Sequence, residues 1–183
     1  MSNANHYQLA VLLTAAVNFI LLCFIIKRAS YKRRLVFLFS IYCGAIVFWS
    51  GFVFFATIAT NHALAIVFTQ LCHVGATLIP LLFFEFSCLF LGIKLSRVIR
   101  MTALGAAIFF LVLILLFPMR FFSSVVPKLG FAHFPDASWL YSFWMIYFSV
   151  LVVATHLVLF KAFANSQGMK RRQLRFFFLE AVS

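Results

Sequence analysis

The sequence predicts an all-α integral membrane protein: a polytopic helix bundle with five complete transmembrane helices, the start of a sixth, and its N-terminus outside. Three observations predict it. Of the 183 residues, 66% are apolar and only 10% charged, with a mean hydropathy of +1.11; a water-soluble domain is about half apolar and a quarter charged. The apolar residues form long continuous runs, without the alternation of a membrane barrel strand. The basic residues crowd into every second gap between those runs, which is the pattern that sets membrane orientation.

The composition excludes a soluble enzyme and a disordered tail, because too little polar surface exists to face water. Fifteen Lys and Arg against three Asp and Glu give a net charge of +12 and a pI near 10.3. In a soluble protein that balance points to nucleic acid. Here the charges flank apolar runs, so the expected partner is the lipid bilayer and no nucleic acid is expected. The whole chain, 1–183, reads as one membrane-embedded domain.

The N-terminal residues MSNANHYQ carry no basic region and precede no small-residue cleavage site, so the first run is expected to be a retained helix rather than a secretory signal. Span one covers about 9–26 and ends at Lys27, Arg28, Lys32, Arg33 and Arg34. Span two covers about 35–58, and the short turn Ala59-Thr60-Asn61-His62 follows. Span three covers about 63–92, closed by Lys94, Arg97 and Arg100. Its thirty residues rise ~45 Å against a ~30 Å hydrocarbon core, so it must tilt, kink or protrude, and Pro80 offers a kink near its middle. Span four covers about 101–117 and stops at Pro118. Span five covers about 139–160, followed by Lys161, Lys170, Arg171, Arg172 and Arg175. Residues 176–183 read as the start of a sixth span.

The gap after span one holds five basic residues, the gap after span three holds three, and the segment after span five holds five. The other side has only Arg120 and Lys128. Thirteen against two places the N-terminus outside and the basic loops in the cytoplasm. Trp139 and Trp144, at the outer end of span five, suit an interfacial aromatic belt. The outer stretch 119–138 contains the strand-like run 121–126 and a second run, 130–134, after a Pro127-Lys128-Leu129 break. It reads as a small β-hairpin or a re-entrant lid. An isolated hairpin is marginal in water, so it would have to lie on the bundle or the bilayer.

Few residues in the spans bear chemistry. Glu85 is the only acidic residue inside a complete span, and such groups usually face the bundle or a cavity; a protonated or locally paired structural carboxyl is the plainer reading. His73, near the middle of span three, and His156, in the inner half of span five, are either hydrogen-bonded packing residues or functional ones. Glu85 and His156 share the inner half of the membrane, so they form a pair if their faces meet. On span three, Thr69, His73, Thr77 and Pro80 fall within ~80° of one another at helical spacing. Span five repeats Ser142, Ser149 and His156 at every seventh residue. Span two offers Ser40 and Gly44, then Trp49, Ser50 and Gly51, small residues that let helices approach. These stripes serve either helix packing or a shallow outer pocket between helices, with Trp49, Gln70, His73, Thr77 and Tyr147 as its ligand-binding residues. Cys23, Cys43, Cys72 and Cys88 lie inside apolar runs without metal-ligand spacing and read as small packing groups. No phosphate-binding glycine loop, HExxH or G-x-S-x-G motif occurs. No catalytic residue, metal or cofactor is therefore expected.

The order of features resembles a known family. An outside N-terminus and a basic loop lead into a span ending in AIVFWSG at 45–51, with Trp49. A very short outer turn follows, then the long span containing LCHVGATLIPLLFF at 71–84, with Gly75 and Pro80. A fourth span, an outer loop with a Gly and Pro exit at 130–135, and a fifth span ending in a basic cluster complete the series. This resembles the N-terminal seven-helix input region of bacterial sensor histidine kinases, and is similar to the membrane part of autoinducer-binding quorum-sensing receptor kinases. The resemblance implies a multi-pass protein of the bacterial inner membrane whose outer half meets a small apolar signal. It also implies that its last helix drives a cytoplasmic output domain, in a receptor that is a homodimer at full length. Two other classes stand beside it. A small transporter or channel should show repeats with matching broken helices, and only span three carries such a break. A non-catalytic assembly subunit needs only small-residue packing.

Overall fold

The computed structural model describes residues 3–28, 34–128 and 131–167. The expected start of a sixth span lies outside the described residues, as do Lys32, Arg33, Lys170, Arg171, Arg172 and Arg175. The elements are α1 (Asn3–Arg28), α2 (Arg34–Ile58), α3 (His62–Leu91), α4 (Arg97–Leu116), the short α5 (Pro118–Phe121), strands β1 (Phe122–Lys128) and β2 (Phe131–Ala137), and α6 (Trp139–Ala164). Five of these helices, α1, α2, α3, α4 and α6, are long and apolar enough to cross a membrane.

Helix α3 is the axis of the bundle. Half of its most apolar stretch is buried, against 22% for α2 and α6, 17% for α4 and 6% for α1. It packs against α2, α4 and α6, while α1 lies outside, on α2. Its ends are well defined. The Asn61 side chain accepts from the Ala63 N–H at 2.8 Å, satisfying one of the unpaired amides of the first turn. At the other end Gly92 adopts φ +72°, and the Ile93 N–H bonds the Cys88 carbonyl at 2.8 Å. That left-handed cap costs a glycine little. The helix continues through Pro80.

Span four begins earlier than its apolar run. Ser96 caps it, accepting from the Ile99 N–H at 3.2 Å, so Arg97 and Arg100 join the first turn of α4. It stops before Pro118, as a proline demands of the residue that precedes it. Helices α4 and α6 both rest on α3 and leave between them an apolar groove lined by Phe84, Ala103, Phe110, Phe143, Tyr147 and Leu151.

Helices α2 and α3 approach closely at Gly75. A Cβ added at Gly75 would stand 2.9 Å from Trp49 Cβ and 3.0 Å from Trp49 Cα and N. Gly44 and Gly51, read from sequence as small residues for close packing, meet nothing within 4 Å of an added Cβ. The small residue that brings these helices together lies on α3. On α2 it faces the backbone of a tryptophan whose side chain points past it.

Thr77 joins α3 to α6. It is fully buried. Its Oγ1 donates to the His73 carbonyl at 2.7 Å and accepts from Trp144 Nε1 at 2.9 Å. Its carbonyl accepts from the Tyr147 hydroxyl at 2.9 Å. Pro80 has no N–H for the Ala76 carbonyl, so the Tyr147 contact falls beside the gap in the helix ladder. Trp144 is 4% exposed and Trp139 71%. Trp144 is thus a core residue and not part of an aromatic belt, because its indole N–H finds an acceptor inside the bundle.

The outer stretch forms the hairpin. Strands β1 and β2 pair antiparallel, with Ser124 opposite Asp136, Val125 opposite Pro135 and Val126 opposite Phe134. The expected break at Pro127 and Lys128 is instead the end of β1, with a register irregularity between Val126 and Lys128. A two-stranded ribbon has only edge strands, where proline is tolerated. The hairpin packs on α2, α3 and α6. Its two feet meet: the Ser138 N–H donates to the Phe121 carbonyl at 3.3 Å, and the Ser138 hydroxyl donates to the Arg120 carbonyl.

Two stability predictions follow from these joints. Gly75→Ala drives a Cβ into the backbone of α2 and should destabilise the bundle by about 1–3 kcal/mol, whereas Gly105→Ala, with open space around its Cβ, should be neutral or stabilising by up to about 1 kcal/mol. Unfolding of detergent-solubilised protein monitored by circular dichroism checks both. Thr77→Val strands the Trp144 N–H in the core and should cost about 1–2 kcal/mol in the same assay, while Thr77→Ser, which keeps the hydroxyl, should lose less than half as much.

Candidate ligand-binding site

A cavity of about 560 Å³ opens under the hairpin, within the ~300–1,000 Å³ of small-molecule sites. Tyr7 of α1 closes one side, and Trp49, Val53 and Ala56 of α2 the next. Thr69, Cys72, His73, Ala76 and Ile79 of α3 form the back wall. Tyr141, Trp144, Met145 and Phe148 of α6 face them. The hairpin covers the end with Phe122, Lys128 and the run from Phe134 to Ala137. From Thr69 to Ile79 the cavity follows α3 for ~15 Å of rise. All four helices that form it are apolar spans, so its wall is mostly carbon. Charge enters only on the hairpin, at Lys128 and Asp136, both exposed.

His73 is a buried polar group of the wall, 8% exposed. Its Nδ1 bonds the Thr69 carbonyl one turn back, at 2.7 Å. Cys72 donates to the same carbonyl at 3.1 Å and lies 3.3 Å from Nδ1. Aromatic rings enclose the imidazole: Phe122 at 4.7 Å between centroids, Trp144 at 5.4 Å, Tyr141 at 5.7 Å and Phe121 at 6.0 Å. Phe121 is fully buried beneath them and stacks edge-on against Phe122, Tyr141 and Trp144. The hairpin therefore stands on an aromatic cluster that it shares with α3 and α6.

The five residues read from sequence as ligand-binding divide in the structure. Trp49 and His73 line the cavity. Thr77 lies one turn below His73, sealed from it. Gln70 points away: its Nε2 donates to the Ile114 and Leu115 carbonyls at 2.8 and 3.1 Å, capping the open end of α4. Tyr147 faces α3 and the α4/α6 groove, with its hydroxyl held by Thr77.

Glu85 and His156 do not meet. Glu85 Oε1 accepts from Arg100 Nε at 2.9 Å, with the arginine 44% and the carboxylate 17% exposed. His156 Nδ1 bonds the Val152 carbonyl on its own helix at 2.8 Å, and its ring lies 6.1 Å from Phe83. The carboxylate is thus paired with a basic residue of the neighbouring helix, one that hydropathy alone assigns to the loop. Tyr7, Tyr141, Trp144 and the hairpin aromatics were not singled out as cavity residues. The signal for Tyr141 and Trp144 was available, since they follow the strand-like run and sit on the first turns of span five.

A model of the family described as the N-terminal 7TM region of histidine kinase matches residues 10–182. No curated protein and no solved structure gives a significant match. The family match spans nearly the whole chain and includes all five apolar helices, the hairpin and the cavity beneath it. The chain belongs to the N-terminal seven-transmembrane regions of histidine kinases, the sensory input part of multi-pass membrane proteins.

Proposed function

We propose that the cavity under the hairpin is the signal-binding site of this sensory input domain, and that the signal is small and largely apolar. The observation that carries this reading is the wall itself: four spans and the hairpin converge on one space whose lining is mostly apolar, with a few polar groups among the rings. A ligand there touches every element whose spacing sets its shape. It stabilises whichever helix arrangement fits it better, and only that differential affinity shifts the population. Helix α6 begins at the cavity and ends at the basic end of the bundle, so it passes the shift to the later helices that lead to the output domain of a full-length homodimeric receptor.

The orientation proposed with this reading puts the N-terminus and hairpin outside the bacterial inner membrane and the basic loops in the cytoplasm. The thirteen-to-two division of Lys and Arg supports it. In right-side-out vesicles a membrane-impermeant thiol reagent should label Lys128→Cys and spare Lys94→Cys; the reverse pattern inverts the topology.

Trp49 and Trp144 line the cavity and Trp139 does not, so tryptophan emission reports its occupancy. In bilayer nanodiscs, n-decyl methyl ketone should change that emission saturably. Trp49→Leu should raise the half-saturating concentration several-fold, and Trp139→Leu should leave it within about twofold. Equal effects of the two substitutions would place the ketone elsewhere. Solute uptake into proteoliposomes that falls in Glu85→Gln would instead favour a transporter.

A further inference from the structure

The geometry points to a ligand with a hydrogen-bond donor, a hydroxyl or N–H, on an otherwise apolar body, received by Nε2 of His73. This rests on the cavity being the binding site and goes one step further, to the chemistry of the ligand's polar group. The Thr69 carbonyl can only accept, so the 2.7 Å contact puts the ring proton on Nδ1. In the neutral imidazole Nε2 then holds a lone pair and is an acceptor. Nε2 lies on the ring edge away from that carbonyl and has no protein partner among the described residues, while the ring forms part of the cavity wall.

The neighbouring polar groups do not replace it. Trp144 spends its N–H on Thr77, and the Thr57 hydroxyl donates to the Phe54 carbonyl at 2.7 Å. The Thr69 and Tyr141 hydroxyls either donate or accept and so do not discriminate. Thr57 Oγ1 and the exposed Asp136 carboxylate at the rim also accept, but His73 Nε2 is the acceptor set among aromatic rings in the wall. A polar nitrogen enclosed by four aromatic rings strengthens any bond it makes and penalises leaving it unmade. A ligand that brings only acceptors leaves that nitrogen bare.

Two probes of similar length test this: n-decanol, which donates, and n-decyl methyl ether, which cannot. Both are titrated against tryptophan emission in nanodiscs, for the parent and His73→Phe. The ratio of their half-saturating concentrations in the parent, divided by the ratio in the variant, cancels their different partitioning into lipid. The expected result is a preference for the alcohol that is roughly two- to tenfold greater in the parent. A second measurement needs no variant: nitrogen NMR of imidazole-labelled protein should show the His73 Nε2 resonance moving with n-decanol and not with the ether. Saturable binding of both probes with equal ratios in parent and variant, or a still Nε2 resonance, overturns donor selection and leaves the cavity standing. If neither probe saturates, the cavity is not the binding site and both proposals fall.

Discussion

Thr77 meets a requirement that lipid cannot meet. Buried at the centre of α3, it must satisfy a hydroxyl, and its neighbours Trp144 and Tyr147 must each satisfy a polar tip, in a medium with no water to offer. The three groups solve this together, and in doing so they hold α3 and α6 at one separation. Everything above that joint is set by it. With Trp144 held on Thr77, the indole ring stands beside His73 and forms the floor on which Phe121 and Tyr141 pack. The cavity begins where that floor ends.

The same logic runs up α3. Residues 69, 73 and 77 recur every fourth position, and His73 and Thr77 each return a hydrogen bond to the carbonyl one turn back. The helix thus satisfies the His73 Nδ1 and Thr77 hydroxyl protons before any neighbour arrives. On the α2 side the constraint is steric: Gly75 admits the Trp49 backbone, and the tryptophan ring is left free to form the wall beside it.

Much of this was legible in the sequence because hydropathy and helical spacing are local properties. The five runs, the Thr69–His73–Thr77 stripe and the strand-like stretch before span five all rest on neighbours a few residues apart. What was not legible depends on which faces meet. Nothing local tells that Gln70 reaches the end of α4, 44 residues on, while His73, three residues later, turns to the cavity. Glu85 found Arg100 because α4 starts a turn before its apolar run, a capping effect of Ser96 that hydropathy does not register. Trp144 resembled an interfacial residue by position alone; only the acceptor on α3 makes it a core one.

The feet of the hairpin are pinned side by side, with Ser138 bonded to both the Arg120 and Phe121 carbonyls. The strands between them form a handle that rests on α2, α3 and α6. Because its feet are held together, a change of length between them costs little entropy and leaves the flanking helices where Ser138 sets them. The rim of the cavity is thus a handle bolted at one end: what it admits can change without moving the helices that answer to it.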